Sequence, residues 1–149
     1  MTGGSTCALV CFLTRRGGAC PWPSRRSRSR APSCQAQVVH DFVGKILDVD
    51  GKADVVVLGD LNDFQFSPSV AALRTGTADG SGPSILTDLI APMPKDQQYT
   101  YVFNGVSQVL DHILVTRGLG DVQYQVVHVN AEYHDQASDH DPQVVRVRP

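Results

Sequence analysis

The apolar run Val55-Val56-Val57-Leu58 stops abruptly at Gly59-Asp60-Leu61-Asn62-Asp63, and this stop constrains the chain more than any other feature. The β-branched residues Val55 to Val57 suit a buried strand. A strand that ends in two carboxylates and an amide holds polar groups on a rigid support, and a short loop leaves them open to a ligand. The same residues also make an Asx-rich turn, because Asp and Asn hydrogen-bond to nearby backbone. Two later stretches bear on the choice. Val109-Leu110-Asp111-His112-Ile113-Leu114-Val115 places a carboxylate inside an apolar strand, which is costly unless it has a partner or a ligand. Ala137-Ser138-Asp139-His140-Asp141-Pro142 adds a polar loop ahead of the last apolar run.

In this order, Gly59–Asp63, Leu110–Leu114 and Ser138–Pro142 resemble the second half of the endonuclease/exonuclease/phosphatase superfamily. Those metal-dependent phosphodiesterases include DNase I-like nucleases, abasic-site endonucleases, neutral sphingomyelinases and inositol polyphosphate phosphatases; the likeness is greatest to secreted bacterial nucleases. The resemblance runs from about Gln35 to the C-terminus. It implies an α+β fold, a partial four-layer α/β/β/α sandwich of the DNase I type comprising roughly its C-terminal half. It also implies an extracellular location.

Composition divides the chain in two. The first forty residues hold Arg15, Arg16, Arg25, Arg26, Arg28 and Arg30 and no acid, while all 15 acidic residues lie from Asp41 onward. The cysteines Cys7, Cys11, Cys20 and Cys34 fall on the basic side. Residues 1–34 show no sustained apolar period, and Pro21-Trp22-Pro23 followed by alternating Ser and Arg disfavours regular structure, so a disordered segment is expected. Cys7 to Leu13 is apolar but short, and the arginines follow it, unlike a secretory signal. The cysteine spacing makes neither a zinc site nor a clear disulfide framework. The Arg-Ser run could hold a phosphate backbone by counterion release. The composition also fits an out-of-frame reading of a GC-rich gene standing where the first half of the fold would be.

Residues 35–149 read as a domain. Val38, Val39, Phe42, Val43, Ile46 and Leu47 recur at helical intervals, with Gln37, Asp41, Lys45 and Asp48 on the other face and Gly51 placed to end the helix. His40 reads as a surface or flank residue. Ser67-Pro68 supplies an N-cap and first-turn proline for a short helix that Gly76 can close. Ile85 to Ile90 is too short to classify. Asn104-Gly105 predicts a tight hairpin between Gln98–Phe103 and Gln108–Val115, with Asp111 inside its second strand. Val122–Val129 and Gln143–Val147 supply further strands. No stretch is long and apolar enough to span a membrane.

These residues suit phosphodiester hydrolysis, which needs an activated water, a cation against developing charge, and donors that orient the phosphate. His140 is the candidate general base, since imidazole titrates near neutral pH, and Asp111 would orient and polarise it. The resemblance implies that Asp60 lies beside the reacting phosphate and also contacts the metal, that Asn62 binds the phosphate, and that Asp139 helps hold the cation. Oxygen donors point to Mg²⁺, with Mn²⁺ or Ca²⁺ as substitutes. His112 follows Asp111 in a strand, so it turns to the opposite face and reads as packing or surface. His128 and His134 read the same way, and Asp63 and Asp141 as groups that support the site.

The departures are equally specific. An early Asn, a metal-ligating Glu and a central His or Tyr belong to the first half of the superfamily site, and no motif here matches them; the only glutamate, Glu132, lies too far downstream. The expected function is metal-dependent hydrolysis of nucleic-acid phosphodiesters. An inactive partial domain or interaction module, or a phospholipid or inositol phosphate phosphatase, stands as the alternative. Two further expectations follow: little or no nuclease activity from residues 1–149 alone, and an open apolar sheet face favouring self-association.

Overall fold

The computed structural model describes residues 6–10 and 31–147. Its strands are β1 (Thr6–Val10), β2 (Asp54–Asp60), β3 (Thr87–Asp88), β4 (Tyr101–Phe103), β5 (Val106–Gln108), β6 (Asp111–Val115), β7 (Val122–Val126) and β8 (Gln143–Val147). The helices are α1 (Ala31–Val49) and α2 (Pro68–Thr75). Four strands form one sheet in the order β1-β2-β6-β3, with β1 parallel to β2 and the other pairs antiparallel. Strand β1 lies inside the stretch expected to be irregular, and its register sets Cys7 opposite Val55 and Leu9 opposite Val57. The Arg-Ser run from Ser24 to Arg30 lies outside the described residues.

Alternation along β2 builds a core on each face of this sheet. Val55 and Val57 pack with Leu114 against Ala36, Val39 and Val43 of α1 and Val70 and Leu73 of α2. Val56, Ile113 and Val115 turn the other way and are buried with Leu89 and Leu119, with Val122, Tyr124 and Val145 partly buried against them. The second face is therefore covered by the β7–β8 pair, which corrects the expectation of an open apolar sheet. Among the described residues the layers run helix, sheet, sheet.

Local chemistry accounts for the elements. Ser67 caps α2 by accepting from the Val70 N–H at 3.3 Å, Pro68 opens the helix, and Gly76 closes it at φ 76°. At Gly76 an added Cβ would meet His40 Nε2 at 2.7 Å, so helix packing as well as the turn requires glycine. His40 accordingly ties the helices together, its Nδ1 donating to the Leu73 carbonyl at 3.1 Å. Helix α1 differs from its reading in two respects: it begins at Ala31, inside the stretch expected to be disordered, and Val38 and Phe42 are exposed, because the seam against the sheet runs through Ala36, Val39 and Val43.

The Asn104-Gly105 turn forms as expected, both residues taking positive φ, but its hairpin is only β4 and β5. Asp111 is not within that hairpin. It opens β6, which crosses to the main sheet and pairs with β2 so that Asp60 stands opposite Asp111.

Candidate active site

The β2–β6 register is the first step in building the site, because it brings the two acidic strand ends together. Like charges directly opposed on a ladder are destabilising unless something positive lies between them. Here that group is His140. Its Nδ1 donates to Asp111 Oδ2 at 2.6 Å, and one ligand atom from each of Asp60, Asp111 and His140 lies within 4.8 Å of the other two. With Nδ1 bound to the carboxylate, Nε2 is the nitrogen left to act on a substrate or water.

Thr100 assembles this pair across the chain. Its buried hydroxyl accepts from the backbone N–H groups of Leu110 at 3.2 Å and Asp111 at 3.3 Å, while its carbonyl accepts from the Asp141 N–H at 2.7 Å. One residue therefore holds the backbone on both sides of the Asp111–His140 contact. The Tyr101 ring lies 4.8 Å from the imidazole of His140 and limits its rotation. No feature of the sequence around Thr100 signals this role, since it depends on a strand meeting a distant loop.

Burial lowers the affinity of His140 for a proton, but the Asp111 hydrogen bond and charge, with Asp60 and Asp139, outweigh it and raise the pKa above 6.5. Asp139 contributes charge in this way without joining the three-residue cluster. Asp60 uses Oδ1 to accept from the Asn62 N–H at 2.8 Å, fixing an Asx turn in which Asn62 takes φ 51°. The cluster opens on a cleft of about 380 Å³ lined by Gly59, Asp60, Asp111, Asn130, Ser138 and His140, among others.

Asp141 has a separate task. Its buried carboxylate accepts through Oδ1 from the N–H groups of Val129, Asn130 and Ala131 at 3.0, 2.8 and 3.0 Å, and through Oδ2 from His128 Nδ1 at 2.9 Å. Burial raises its pKa, but these four donors outweigh that and hold it below 3.8. It shapes the loop after β7, which ends at Val126, earlier than Val129: the Val127 N–H still donates to the Pro142 carbonyl, but those of Val129, Asn130 and Ala131 turn to this carboxylate.

His112 takes the packing role of its two readings and adds partners the sequence did not announce. It is buried in full, with Nδ1 at 2.8 Å from Asp88 Oδ2 and Nε2 at 3.0 Å from the Asp63 carbonyl. Burial lowers its pKa, yet the Asp88 bond and charge and the Asp63 bond raise it on balance. The sequence placed His112 on the face away from Asp111 but carried no sign of a partner 24 residues upstream.

Two carboxylates and an imidazole in one cluster have the donor set a divalent cation takes, and Oδ2 of Asp60 lies outside its Asx turn. Glu132 is not part of this group; its carboxylate lies beside Tyr99.

Residues 3–140 match the model of the Endonuclease/Exonuclease/phosphatase family, so the likeness read from about Gln35 onward extends through β1 as well. A mannosyl-6-phosphatase from Bacteroides thetaiotaomicron VPI-5482 is similar in structure at TM-score 0.50 and 21% identity, over 80% of this chain and 46% of that one. An endonuclease/exonuclease/phosphatase family protein from Bacteroides thetaiotaomicron aligns at TM-score 0.45 and 21% identity, over 79% of this chain and 44% of that one. The chain spans about half the length of these solved structures, and the likeness to the first is one of fold. No curated protein matches. With the match spanning β1 to β7 and reaching His140, the chain belongs to the endonuclease/exonuclease/phosphatase family.

Proposed function

We propose that this cleft hydrolyses phosphate esters, with nucleic-acid phosphodiesters as the substrate class. The observation that carries the reading is the 2.6 Å contact between His140 and Asp111 beside Asp60. In this reading Asp111 fixes the imidazole so that Nε2 takes a proton from the attacking water, worth about 10²–10⁴-fold. Asn62, two residues after Asp60 in the same turn, would offer its side-chain amide to a phosphoryl oxygen. A divalent cation, Mg²⁺ or in its place Mn²⁺ or Ca²⁺, would be held by Asp60 with Asp111 or Asp139. When bound it would neutralise charge on the phosphoryl oxygens.

A second reading, a phosphomonoester of a small molecule, is favoured by the cleft lining, which includes acids but no Lys or Arg to track a polyanionic backbone. The similar fold of a mannosyl-6-phosphatase accords with it. The test is chelator-sensitive turnover by the purified chain, given Mg²⁺ or Mn²⁺, on plasmid DNA, single-stranded DNA and a sugar 6-phosphate. Because Asp60, Asp111 and His140 are assembled in this chain, DNA cleavage abolished in His140→Ala is expected, in place of the little or no nuclease activity expected from sequence, and turnover of the sugar phosphate alone selects the second reading. Wild-type rates in His140→Ala, or no turnover of any substrate with saturating Mn²⁺, overturn the proposal.

A further inference from the structure

We propose that His112, held by Asp88, is a positioning residue that sets the direction of Asp60 and Asn62. His112 is among the residues lining the cleft, but its ring is buried and both ring nitrogens are engaged by Asp88 and Asp63, so phosphoester chemistry gives the pair no direct part. Its geometry is that of a strut. Asp88 lies on β3, His112 on the neighbouring β6, and the ring spans from the Asp88 carboxylate at 2.8 Å to the Asp63 carbonyl at 3.0 Å. A carboxylate and a carbonyl both accept, so each ring nitrogen donates and the ring orientation is fixed at both ends.

The far end of the strut falls where the site loop needs it. Asp63 directly follows Asn62, whose φ of 51° is unusual for a residue with a side chain and persists only when its surroundings enforce it. Asp63 is enforced from two sides. Its carbonyl meets His112, and its carboxylate accepts from the Phe64 N–H at 3.0 Å and from the Ser69 hydroxyl at the start of α2. With Asp63 held, the chain cannot relax at Asn62, and the Asx turn through Asp60 Oδ1 stays formed. Without His112 the carbonyl of Asp63 loses its buried partner, and the turn is anchored at one end only.

The activity readout rests on the proposed phosphoester hydrolysis, whereas the backbone readout does not. The experiment compares wild-type chain with His112→Phe, which keeps an aromatic ring but no donors, and Asp88→Asn, which keeps the shape of the anchor. Val115→Ala is the control for simple loss of packing in the same strand. Each is measured by site-resolved amide hydrogen exchange over residues 60–66 and by kcat and KM well below its unfolding temperature. The expected result is a loss of protection in residues 60–66 of roughly tenfold in both strut variants, beyond the change elsewhere in the sheet. An accompanying fall in kcat of about 10²-fold is expected, because small misplacement of reacting groups is costly. Val115→Ala should lower protection uniformly and spare kcat. If His112→Phe fails to fold, Asp88→Asn decides. Folded strut variants with wild-type exchange in residues 60–66, or with changes no different from Val115→Ala, overturn the proposal. A wild-type chain that turns over no substrate while the exchange effect appears refutes the hydrolase reading and leaves the strut standing.

Discussion

Nδ1 of His140 lies 2.6 Å from Oδ2 of Asp111, a contact made between residues 29 positions apart and enforced by Thr100 from both sides. The carboxylate both aims the ring and favours its charged form, so Asp111→Asn should affect geometry and titration separately. In the metal-free protein, histidine NMR should place the midpoint of His140 above 6.5, and Asp111→Asn should move it downward because the hydrogen bond to a charge and the charge itself are lost. The same substitution should lower turnover by roughly 10²–10⁴-fold. An unmoved midpoint would show that the pair is not coupled in solution.

Metal dependence should follow the cluster instead of the full set of acidic residues nearby. Asp60 shares the 4.8 Å group with Asp111 and His140, and Asp139 does not. Asp60→Asn should therefore raise the Mg²⁺ concentration for half-maximal activity more than Asp139→Asn does, with complete loss on chelation. A titration of rate against Mg²⁺ for the two variants measures this. The reverse order would place the ion on Asp139.

How much of this was legible before the fold was known depends on the range of the interaction. Ser67, Pro68 and Gly76 act within their own helix, and Asn104-Gly105 within one turn, so their residue types declare them. The stop at Asp60 and the Asp111 and His140 signals were also readable, because ionisable groups beside apolar runs need a reason to be there. Strand β1 was not, since Thr6–Val10 is too short to show a period and is defined by pairing with β2. Nor were Thr100 and Asp88, whose partners come from other strands and loops. Val38 and Phe42 misled for a related reason: helical spacing marks an apolar stripe but not which of its edges meets the sheet.

The loop after β7 should depend on a single carboxylate. Asp141 accepts from the three successive backbone N–H groups of Val129, Asn130 and Ala131 and from His128, with its side chain buried. Asp141→Asn keeps the shape but weakens four bonds at once, and a cost of about 1–3 kcal/mol is expected. Because its folded pKa is lowered, the stabilisation is present above 3.8 and is lost as pH falls through the folded value. Urea denaturation of wild-type and variant at pH 7 and at pH 3 should show the gap between them narrowing in acid. A constant gap would mean that Asp141 stays ionised or unimportant across the range.

The buried Asp88–His112 pair should give the opposite pH dependence. Its histidine has a raised folded pKa, so its contribution is fully present below 6.5, the ordinary value, and is lost as pH rises through the folded value. Removing one partner of a buried pair strands the other, with a cost of about 3–5 kcal/mol. His112→Phe should therefore be destabilised most strongly at pH 6, and its deficit relative to wild-type should shrink as the pH rises well above 6.5. Denaturant midpoints for both proteins from pH 5.5 to 9.5 test the sign. The two pairs together predict that wild-type stability peaks between the acid loss at Asp141 and the alkaline loss at His112. A deficit for His112→Phe that grows with pH would show that the ring is neutral in the folded protein, with Asp88 carrying the proton between them.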